Sequence, residues 1–570
     1  MKTSIGRHAL AGYCIAACVG LTVSSSQAVA LDRSVVGKNG MVVAGHPLAV
    51  QAGLKVLQAG GTACDAAVAT ATVLSIAMTD MMGPAGSGYA LIWEPQKKEL
   101  SAIDYNGVAP AATDPKNFDM AKKLRGPMAP TVPGALKGWE AVHKKCGTRS
   151  WAELWQDAIS YAENGWPLDT ESNFHIKRHI PEIGINESWA KEFLVNNDAP
   201  GPGHMLKRPD LGQTYRAFAA KGSDALYNGE IGDKLVAFMK KEGGLITKDD
   251  LTKYQVKWSQ PIETTYRGYN VYGTPPSSSA ITWMQILNIL EGYDLKTMGH
   301  NSAEYLHHFI EATKHAYMDG YRHNADPAFV KVPVERLLSK QYAGEIRQKI
   351  AEKAWALKPV KQTWLNQPQV GTATSHMIIV DRWGNAVSMT NTLGTFFGAG
   401  VVAEGTGLVL SNGMDWFDID INIWTGEQPG SLVMQPGKRN RWTLAPGMLF
   451  KDGKLSMLVG GAGAEATMWG VAQPIVNAID LGMEPQAALY APRFRYGDIY
   501  HYTGGTETWL EPGMKPDVRD ALLARGHVMS PVEKPRIPAR GTTQMIVIDP
   551  KNGTLFGGAA PQGRDNLGAY

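Results

Sequence analysis

The sequence predicts a mixed α/β (α+β) protein, because helical periodicity fills the front half of the chain and strand periodicity the back half. The stretch LAVQAGLKVLQAGG has apolar residues spaced for one helix face and ends at Gly60-Gly61, a frequent helix stop. The next stretch, TACDAAVATATVLSIAM, is apolar around its whole circumference, which predicts a helix buried on all sides. From about Trp151 to Ile350 we expect a mainly helical region.

Strands are predicted from about Gly371 onward. The segment TSHMIIVDRWGNAVSMTNT alternates apolar residues on both sides of Gly384-Asn385, which predicts two strands joined by a short turn. Further strands are expected at GLVLSN, GMLFKDG, KLSMLVGG and TTQMIVIDPKNGTLFGG, with a helix at MWGVAQPIVNAIDLG. The sequence has no repeat of fixed period, which disfavours solenoids and propellers.

Composition and charge exclude several classes of protein. The chain has 570 residues, of which 44% are hydrophobic and 19% are charged, and these values are typical of a globular protein. The formal net charge is +3 and there is no long Lys/Arg run, so neither nucleic acid nor an anionic membrane is an expected partner. We therefore expect a small-molecule substrate.

The first thirty residues (1–30) predict a secretory signal peptide. Basic residues precede an apolar run that starts at Ala9, and small residues end at Ala30, where cleavage is expected. The run of about 15 apolar residues is too short to span a bilayer, so stable membrane insertion is not expected. The sequence thus predicts a secreted, periplasmic protein, with lipidation at Cys18 as a less favoured alternative.

Neither the cysteines nor the histidines predict a metal site. Cys64 and Cys146 belong to the mature chain, and the sequence leaves open whether they pair. Four residues on one predicted helix could offer metal ligands, but their spacing is not that of a catalytic site and a surface helix is the favoured interpretation: His307, His308, Glu311 and His315. Three acidic residues could be acid/base groups, but the sequence is equally consistent with solvated turn residues: Asp415, Asp418 and Asp420. We expect no metal and no organic cofactor.

A glycine-rich segment, Gly461 to Ala466, resembles a dinucleotide-binding fingerprint, because it follows a predicted strand and precedes a helix. In a true fingerprint the acidic partner ends a second strand, whereas Asp480 ends the helix itself, so nicotinamide binding is disfavoured. The same glycines could instead direct backbone N–H groups at a developing anion.

Four linked motifs follow one another in the back half of the chain. They are Thr374-Ser375-His376, Asp381 with Gly384-Asn385-Ala386-Val387, Thr390-Asn391-Thr392-Leu393, and Asn412-Gly413-Met414-Asp415. In this order they resemble the γ-glutamyltranspeptidases, a branch of the N-terminal nucleophile hydrolases. The resemblance continues over nearly the whole mature chain at GGTACDAAVA, VPGALKGWE, GGLITKDDL, PGKR and APRF.

The resemblance implies a four-layer αββα sandwich and self-cleavage between Ala373 and Thr374. A large fragment (31–373) and a small fragment (374–570) would then form one intertwined heterodimer. Alone, Thr374 would be an ordinary strand threonine; in this motif order it is the expected nucleophile for amide substrates, with water or an amine as acyl acceptor. Its freed α-amine, with a pKa of about 7.7 to 8.0, can accept the proton of its own hydroxyl.

The resemblance also assigns roles to residues around the nucleophile. Thr392 is the second hydroxyl that orients the hydroxyl of Thr374. Gly463 and Ala464 match the pair whose backbone N–H groups form the oxyanion hole. Ala464 replaces a family glycine, and the N–H donor survives this change where the local φ permits a Cβ.

The chain departs from the family where the glutamyl head group binds. Asn106 occupies the position of the arginine that holds the α-carboxylate, and Asn cannot replace its charge. By the same resemblance, five further positions align with polar ligands of the family but carry other residues: Gly394, Gly413, Trp416, Trp442 and Thr443. An amidohydrolase or acylase for a less charged acyl group, similar to the cephalosporin acylases, is therefore predicted.

Two alternatives stay open. Asp415 could still bind the amino group of a substrate after a loop shift. The chain could therefore be a genuine γ-glutamyl hydrolase or transferase that acts on glutathione-like substrates. A binding protein that kept the scaffold and lost catalysis is the alternative from another class.

Overall fold

Two seven-stranded antiparallel sheets form the centre of the molecule. The computed structural model describes residues 33–184, 186–357, 373–420, 430–497, 507–530, 542–561 and 564–570. The predicted signal peptide and its lipidation alternative lie outside these residues. The strands within them are β1 (Val35–Gly37), β2 (Met41–Ala44), β3 (Ser87–Glu94), β4 (Glu99–Asp104), β5 (Trp166–Pro167), β6 (Met205–Leu206), β7 (Lys257–Ser259), β8 (Ile262–Tyr266), β9 (Tyr269–Gly273), β10 (Ala373–Val380), β11 (Ala386–Gly394), β12 (Val402–Ala403), β13 (Leu408–Val409), β14 (Gly447–Lys451), β15 (Lys454–Ala462), β16 (Phe494–Tyr496), β17 (Thr508–Leu510), β18 (Thr542–Ile548), β19 (Leu555–Ala559) and β20 (Asn566–Ala569).

Helices cover the outer faces of both sheets. Helices α1, α2 and α4 pack on one sheet, while α12 and α17 pack on the other, with α14 beside α12. The α-helices among the described residues are α1 (Pro47–Gln58), α2 (Ala63–Ala77), α3 (Met120–Leu124), α4 (Ala135–Cys146), α5 (Gln156–Asn164), α6 (Thr170–Ile183), α7 (Glu187–Phe193), α8 (Pro209–Lys221), α9 (Asp224–Tyr227), α10 (Glu230–Glu242), α11 (Lys248–Lys253), α12 (Ala280–Leu290), α13 (Leu295–Met298), α14 (Ala303–His323), α15 (Val334–Leu337), α16 (Lys340–Arg347), α17 (Ala466–Ile479), α18 (Pro485–Tyr490) and α19 (Pro516–Ala524).

The order of strands defines the sandwich. One sheet runs β20-β2-β10-β11-β3-β4-β7 and the other β1-β19-β18-β15-β14-β9-β8. Side chains of β10 alternate: Met377 and Ile379 join the core under the helices, while Ile378 and Val380 join the core between the sheets. This period of two places apolar residues on both faces of a central strand, as expected for a sheet buried between two layers. The predicted four-layer αββα sandwich is confirmed.

Several local predictions are confirmed as well. Every residue of α2 is buried, as its uniformly apolar circumference predicted. The helix begins with a capping box in which Thr62 and Asp65 satisfy each other's backbone N–H groups. Strands β10 and β11 form the predicted hairpin, and Gly384 in its turn has a φ of 82°. Asp381 in the same turn accepts the backbone N–H of Ala63 and thereby fixes the hairpin against α2.

The prediction of a mainly helical region from Trp151 to Ile350 was incomplete. Besides helices α5 to α16, this region contains strands β5 to β9. Strands β8 and β9 form a hairpin at the edge of one central sheet, where β9 pairs with β14. From Glu263 to Tyr266 the side chains of β8 alternate between exposed and buried, as expected for an edge strand with only one covered face.

Parts of the chain before and after Thr374 are interleaved in both sheets. In one sheet, β10 and β11 lie between β2 and β3. In the other, β14 pairs with β9, and β19 pairs with β1. The division into fragments 31–373 and 374–570 stays a prediction, but these ladders mean that such fragments would share both sheets. Within the described residues, no helix has the length and apolarity needed to cross a membrane.

A disulfide joins Cys64 and Cys146, whose Cα atoms lie 5.6 Å apart. It connects the first turn of α2 to the last residue of α4 and closes a loop with a sequence separation of 82 residues. The pairing that the sequence left open is therefore present in the structure.

Replacing both cysteines by alanine (Cys64→Ala with Cys146→Ala) should lower the free energy of unfolding by about 4 kcal/mol, because the unfolded chain loses a constraint on a long loop. Urea unfolding of the oxidised wild type and the double variant measures the difference. A reductant should shift the wild-type midpoint and leave that of the double variant unchanged. Equal midpoints for the two oxidised proteins would contradict the prediction.

Candidate active site

Thr374 lies near the start of β10, directly opposite Thr392 on β11. The strand register shifts between Ala373 and Thr374, so a bulge interrupts the ladder at this point. Only 8% of Thr374 is exposed and Thr392 is fully buried. The structure thus brings together the two hydroxyl groups that the sequence paired.

A chain of hydrogen bonds connects these hydroxyls to the preceding peptide bond. The hydroxyl of Thr374 donates to Oγ1 of Thr392 at 3.1 Å, and the backbone N–H of Gly394 donates to the same oxygen at 2.9 Å. The hydroxyl of Thr392 in turn donates to the carbonyl oxygen of Ala373 in a short hydrogen bond. Thr392 therefore contacts both the attacking hydroxyl and the carbonyl that a self-cleavage reaction would attack. The contact to Ala373 was not predicted from the sequence.

His376 lies two residues beyond Thr374 on the same face of β10. It is completely buried, and burial lowers its pKa to about 3, so the imidazole is neutral at physiological pH. Its Nδ1 lies 2.7 Å from the hydroxyl oxygen of Thr390. A Cβ on Gly460 in the facing sheet would come within 2.2 Å of the ring, so this position requires glycine. His376 thus packs the two sheets together close to Thr374.

Gly463 and Ala464 form the loop between β15 and α17, called here the oxyanion loop. Among the described residues, neither of their backbone N–H groups meets a hydrogen-bond acceptor. The φ of Ala464 is 51°, within the small left-handed region that residues with a Cβ can occupy, at a cost of about 1 kcal/mol. The local φ therefore permits a Cβ at this position, which is the condition under which Ala464 can replace glycine and keep its N–H donor.

An aromatic cluster lies against the oxyanion loop. Its buried members are Tyr89, Trp416, Trp442, Leu444 and Ala464. The ring centroids of Trp416 and Trp442 are 5.0 Å apart, and the rings are inclined at 46°. The two tryptophans that replace polar residues of the family thus form one apolar wall beside the candidate N–H donors.

Asn106 is held by the protein itself and is not exposed at all. Its Nδ2 donates to the backbone carbonyl and the side-chain oxygen of Asn440, both at 2.8 Å. Its Oδ1 accepts the indole N–H of Trp442 at 2.5 Å. Because both ends of the amide have partners, Asn106 offers neither a positive charge nor a spare donor in place of the family's arginine.

Gly394 and Gly413 leave no room for side chains. A Cβ on Gly394, whose φ is 103°, would lie 2.1 Å from Oδ1 of Asn412 and 3.1 Å from the indole of Trp442. A Cβ on Gly413 would lie 2.4 Å from Oγ1 of Thr131. Thr443, which follows Trp442, is also buried. Five of the six predicted head-group positions, Thr443 excepted, therefore take part in close packing or a protein hydrogen bond within the fold.

Two of the three aspartates after Gly413 are not the solvated turn residues that the sequence offered as one interpretation. Asp415 and Asp418 are buried, whereas Asp420 is exposed. Burial raises the pKa of Asp415, against the opposing effect of the cations Lys123 and Arg125. Burial also raises the pKa of Asp418 to about 6, against the effect of Lys123. Lys123, on the distant helix α3, is buried as well and donates a short hydrogen bond to the backbone carbonyl of Phe417.

The predicted surface position of the histidines on α14 was wrong for His307, which is buried together with Glu311. These two residues meet His527, with ligand atoms all within 4.8 Å of one another. His307 Nδ1 lies 2.8 Å from His527 Nε2, and Lys314 pairs with the carboxylate of Glu311 at 2.7 Å. The imidazoles and the carboxylate of this cluster are therefore already engaged in contacts within the chain. His308 and His315 are not part of this cluster.

The dinucleotide-like segment does not lie in a parallel βαβ unit. Strand β15 is antiparallel to both of its neighbours, β14 and β18. Asp480 follows α17 and binds the hydroxyl of Tyr266 at 2.6 Å and Nε of Arg267 at 2.8 Å. The acidic residue is thus engaged in a structural contact.

Comparisons with known proteins agree with the geometry. A family model described as Gamma-glutamyltranspeptidase matches residues 49–570. The chain is 37% identical over 541 residues to an Acylase ACY 1 proenzyme from Pseudomonas sp. (strain V22), covering 92% of each chain. It is 34% identical over 548 residues to a glutathione hydrolase proenzyme from Escherichia coli (strain K12), covering 93% of this chain and 92% of the relative.

A solved structure gives the same result. The crystal structure of a cephalosporin acylase from Bacillus halodurans superposes with a TM-score of 0.84 at 32% identity, covering 94% of this chain and 97% of the other. Sequence and fold therefore agree over nearly the full length. The chain belongs to the γ-glutamyltranspeptidase family and is an enzyme of this group of hydrolases and transferases.

Proposed function

We propose that the protein cleaves itself before Thr374 and then hydrolyses or transfers an uncharged acyl group from an amide through an acyl-enzyme on this threonine. The observation that carries the proposal is the hydrogen-bond chain from the hydroxyl of Thr374 through Thr392 to the carbonyl of Ala373. An ordinary pair of strand threonines has no reason to engage the preceding carbonyl.

Self-cleavage proceeds as an N-to-O acyl shift. Oγ1 of Thr374 attacks the carbonyl carbon of Ala373, and the negative charge that forms on the carbonyl oxygen is stabilised by the hydroxyl of Thr392. The C–N bond breaks, the proton that the hydroxyl of Thr374 loses on attack is transferred to the nitrogen of Thr374, and an ester remains. Water hydrolyses the ester to a carboxylate at Ala373 and restores the hydroxyl of Thr374.

Turnover repeats the chemistry on a substrate. The free α-amine of Thr374, with a pKa of about 7.7 to 8.0, takes the hydroxyl proton as the oxygen attacks the amide carbonyl. The N–H groups of Gly463 and Ala464 stabilise the oxyanion by hydrogen bonds. The amine product leaves with the proton that the α-amine took from the hydroxyl. Water or an acceptor amine then attacks the ester on Thr374 and releases the acyl group. The chemistry needs no metal and no organic cofactor.

The proposed acyl group is uncharged and apolar or aromatic. Support comes from the wall of Trp416 and Trp442 and from the fully bonded amide of Asn106, which leaves a substrate carboxylate without a cationic partner. The similarity to proteins named acylase also supports an acyl group other than γ-glutamyl. γ-Glutamyl hydrolysis is the second candidate, because relatives at 34% identity are named glutathione hydrolase. Secretion through the signal peptide 1–30 belongs to the same proposal.

Purified wild-type protein should give two bands on a denaturing gel, of roughly 37 and 21 kDa, because Thr374 is reactive. Mass spectrometry with a panel of acyl amides should show an acyl mass on the fragment that starts at Thr374. Thr374→Ala should stay one uncut chain without an adduct. An uncut wild type would contradict catalysis, and γ-glutamyl-p-nitroanilide turnover at rates normal for the family would contradict the altered specificity.

Thr392→Val should slow self-cleavage by about 100-fold to 1000-fold, because the isosteric methyl group cannot donate to the carbonyl of Ala373. The fraction of cut chain after timed incubation of the purified variant gives the rate. Thr392→Ser, which keeps the hydroxyl, should retain most of the rate. Cleavage of Thr392→Val at the wild-type rate would show that this hydroxyl has no part in the reaction.

Trp442→Ala should lower kcat/KM for an aromatic acyl amide by about tenfold to 100-fold, because the acyl group loses an apolar wall. Trp383→Ala is the matched control, since Trp383 lies in the β10–β11 turn with 43% of its surface exposed. The control should keep wild-type kinetics. Equal effects of the two substitutions would argue against an acyl site at Trp442.

A further inference from the structure

We propose that the buried ion pair between Arg441 and Glu465 positions the oxyanion loop and neutralises the negative charge beside it. The inference rests on the proposed function, because it assumes that the N–H groups of Gly463 and Ala464 stabilise an oxyanion. It adds two positioning residues, Arg441 and Glu465, to the groups of the proposed mechanism. Their charges act on the site through the loop and through the aromatic wall.

Glu465 directly follows Ala464 and is the N-cap residue of α17. A carboxylate in this position ordinarily accepts N–H groups of its own helix, but Glu465 makes no such bond. Its Oε1 instead accepts from Arg441 at 2.9 Å and from the hydroxyl of Tyr321 at 2.8 Å. Turned away from the helix, this carboxylate leaves the amino end of α17 open to a different anion.

Helix α14 supplies the support for this arrangement. Tyr317 and Tyr321 are four residues apart, so they lie on one face of the helix. Tyr317 donates a short hydrogen bond to the backbone carbonyl of Glu465, while Tyr321 binds its carboxylate. Backbone and side chain of the residue after Ala464 are therefore both fixed to the same helix.

Arg441 connects the oxyanion loop to the acyl wall. It directly precedes Trp442, whose indole binds Asn106. Its guanidinium carbon lies 4.4 Å from the centroid of the Tyr321 ring, which holds the guanidinium in place from one side. A change at the ion pair should therefore affect both the oxyanion loop and the acyl wall.

The charges matter as well as the contacts. The side chains of Arg441 and Glu465 are only 3% and 2% exposed, so water screens neither charge effectively. An unpaired carboxylate one residue from the N–H donors would oppose the negative charge that forms on the substrate oxygen. Arg441 cancels this field, and removing Arg441 alone should therefore harm catalysis more than removing both charges.

The first test compares Arg441→Met, Glu465→Gln and the double variant as processed enzymes acting on one acyl amide. We expect kcat to fall by about 100-fold in Arg441→Met and by about tenfold in Glu465→Gln, with KM changed less than about threefold, because the loop acts on the transition state. The double variant should recover at least about tenfold of the kcat lost in Arg441→Met, because Glu465→Gln removes the carboxylate that the loss of Arg441 leaves without its cation.

A second test avoids variants that fail to fold. Tyr321→Phe removes one hydroxyl from the carboxylate of Glu465, and Tyr342→Phe removes one from the buried carboxylate of Asp319, which it binds at 2.9 Å. Both tyrosines are buried and contact residues of α14 or belong to it. We expect kcat to fall about fivefold to tenfold in Tyr321→Phe alone, because the net loss of one hydrogen bond is worth about that factor while Arg441 still holds the carboxylate.

The results separate this inference from the proposed function. An acyl adduct on wild-type Thr374 with equal kcat in Tyr321→Phe and Tyr342→Phe would overturn the ion-pair inference alone. So would a double variant no more active than Arg441→Met. A wild type that forms no adduct would overturn the proposed function and this inference together.

Discussion

The hydrogen bond between Thr374 and Thr392 across β10 and β11 sets the geometry of the whole site. It exists because the register of the hairpin places the two residues opposite each other, at the point where a bulge interrupts the ladder. The turn at Asp381 fixes the hairpin to the first turn of α2, and His376 packs it against the second sheet. The position of one hydroxyl is thus determined by contacts from both sheets and from a buried helix.

The same scaffold can serve different acyl groups because the reactive hydroxyl and the acyl wall depend on different contacts. Thr374 and Thr392 are held by the pairing and hydrogen bonds of β10 and β11, whereas Trp442 is held by Asn106 and follows Arg441. We therefore expect that residues of the wall can be exchanged without a change of the strand register. This separation explains how a family can keep its nucleophile while its head-group ligands change.

Sequence alone predicted the parts of the site that follow from motif order and left out those that depend on packing. The pair Thr374 and Thr392 and the oxyanion loop were found because each lies in a linear motif. The partner of Glu465 could not be found, because Arg441 has no periodic or sequential relation to it. Likewise, the burial of Asp415 and the disulfide of Cys64 depend on how segments that are distant in the sequence pack together.

The interleaving of strands has a consequence for how such an enzyme is made. Backbone ladders, and not a detachable surface, join the chain before Thr374 to the chain after it. Neither portion could be exchanged between molecules without dissolving both sheets, so a severed backbone would still melt as one cooperative body. Under the proposed self-cleavage, assembly would therefore precede scission, and the uncut polypeptide would serve as its own template for the order of strands.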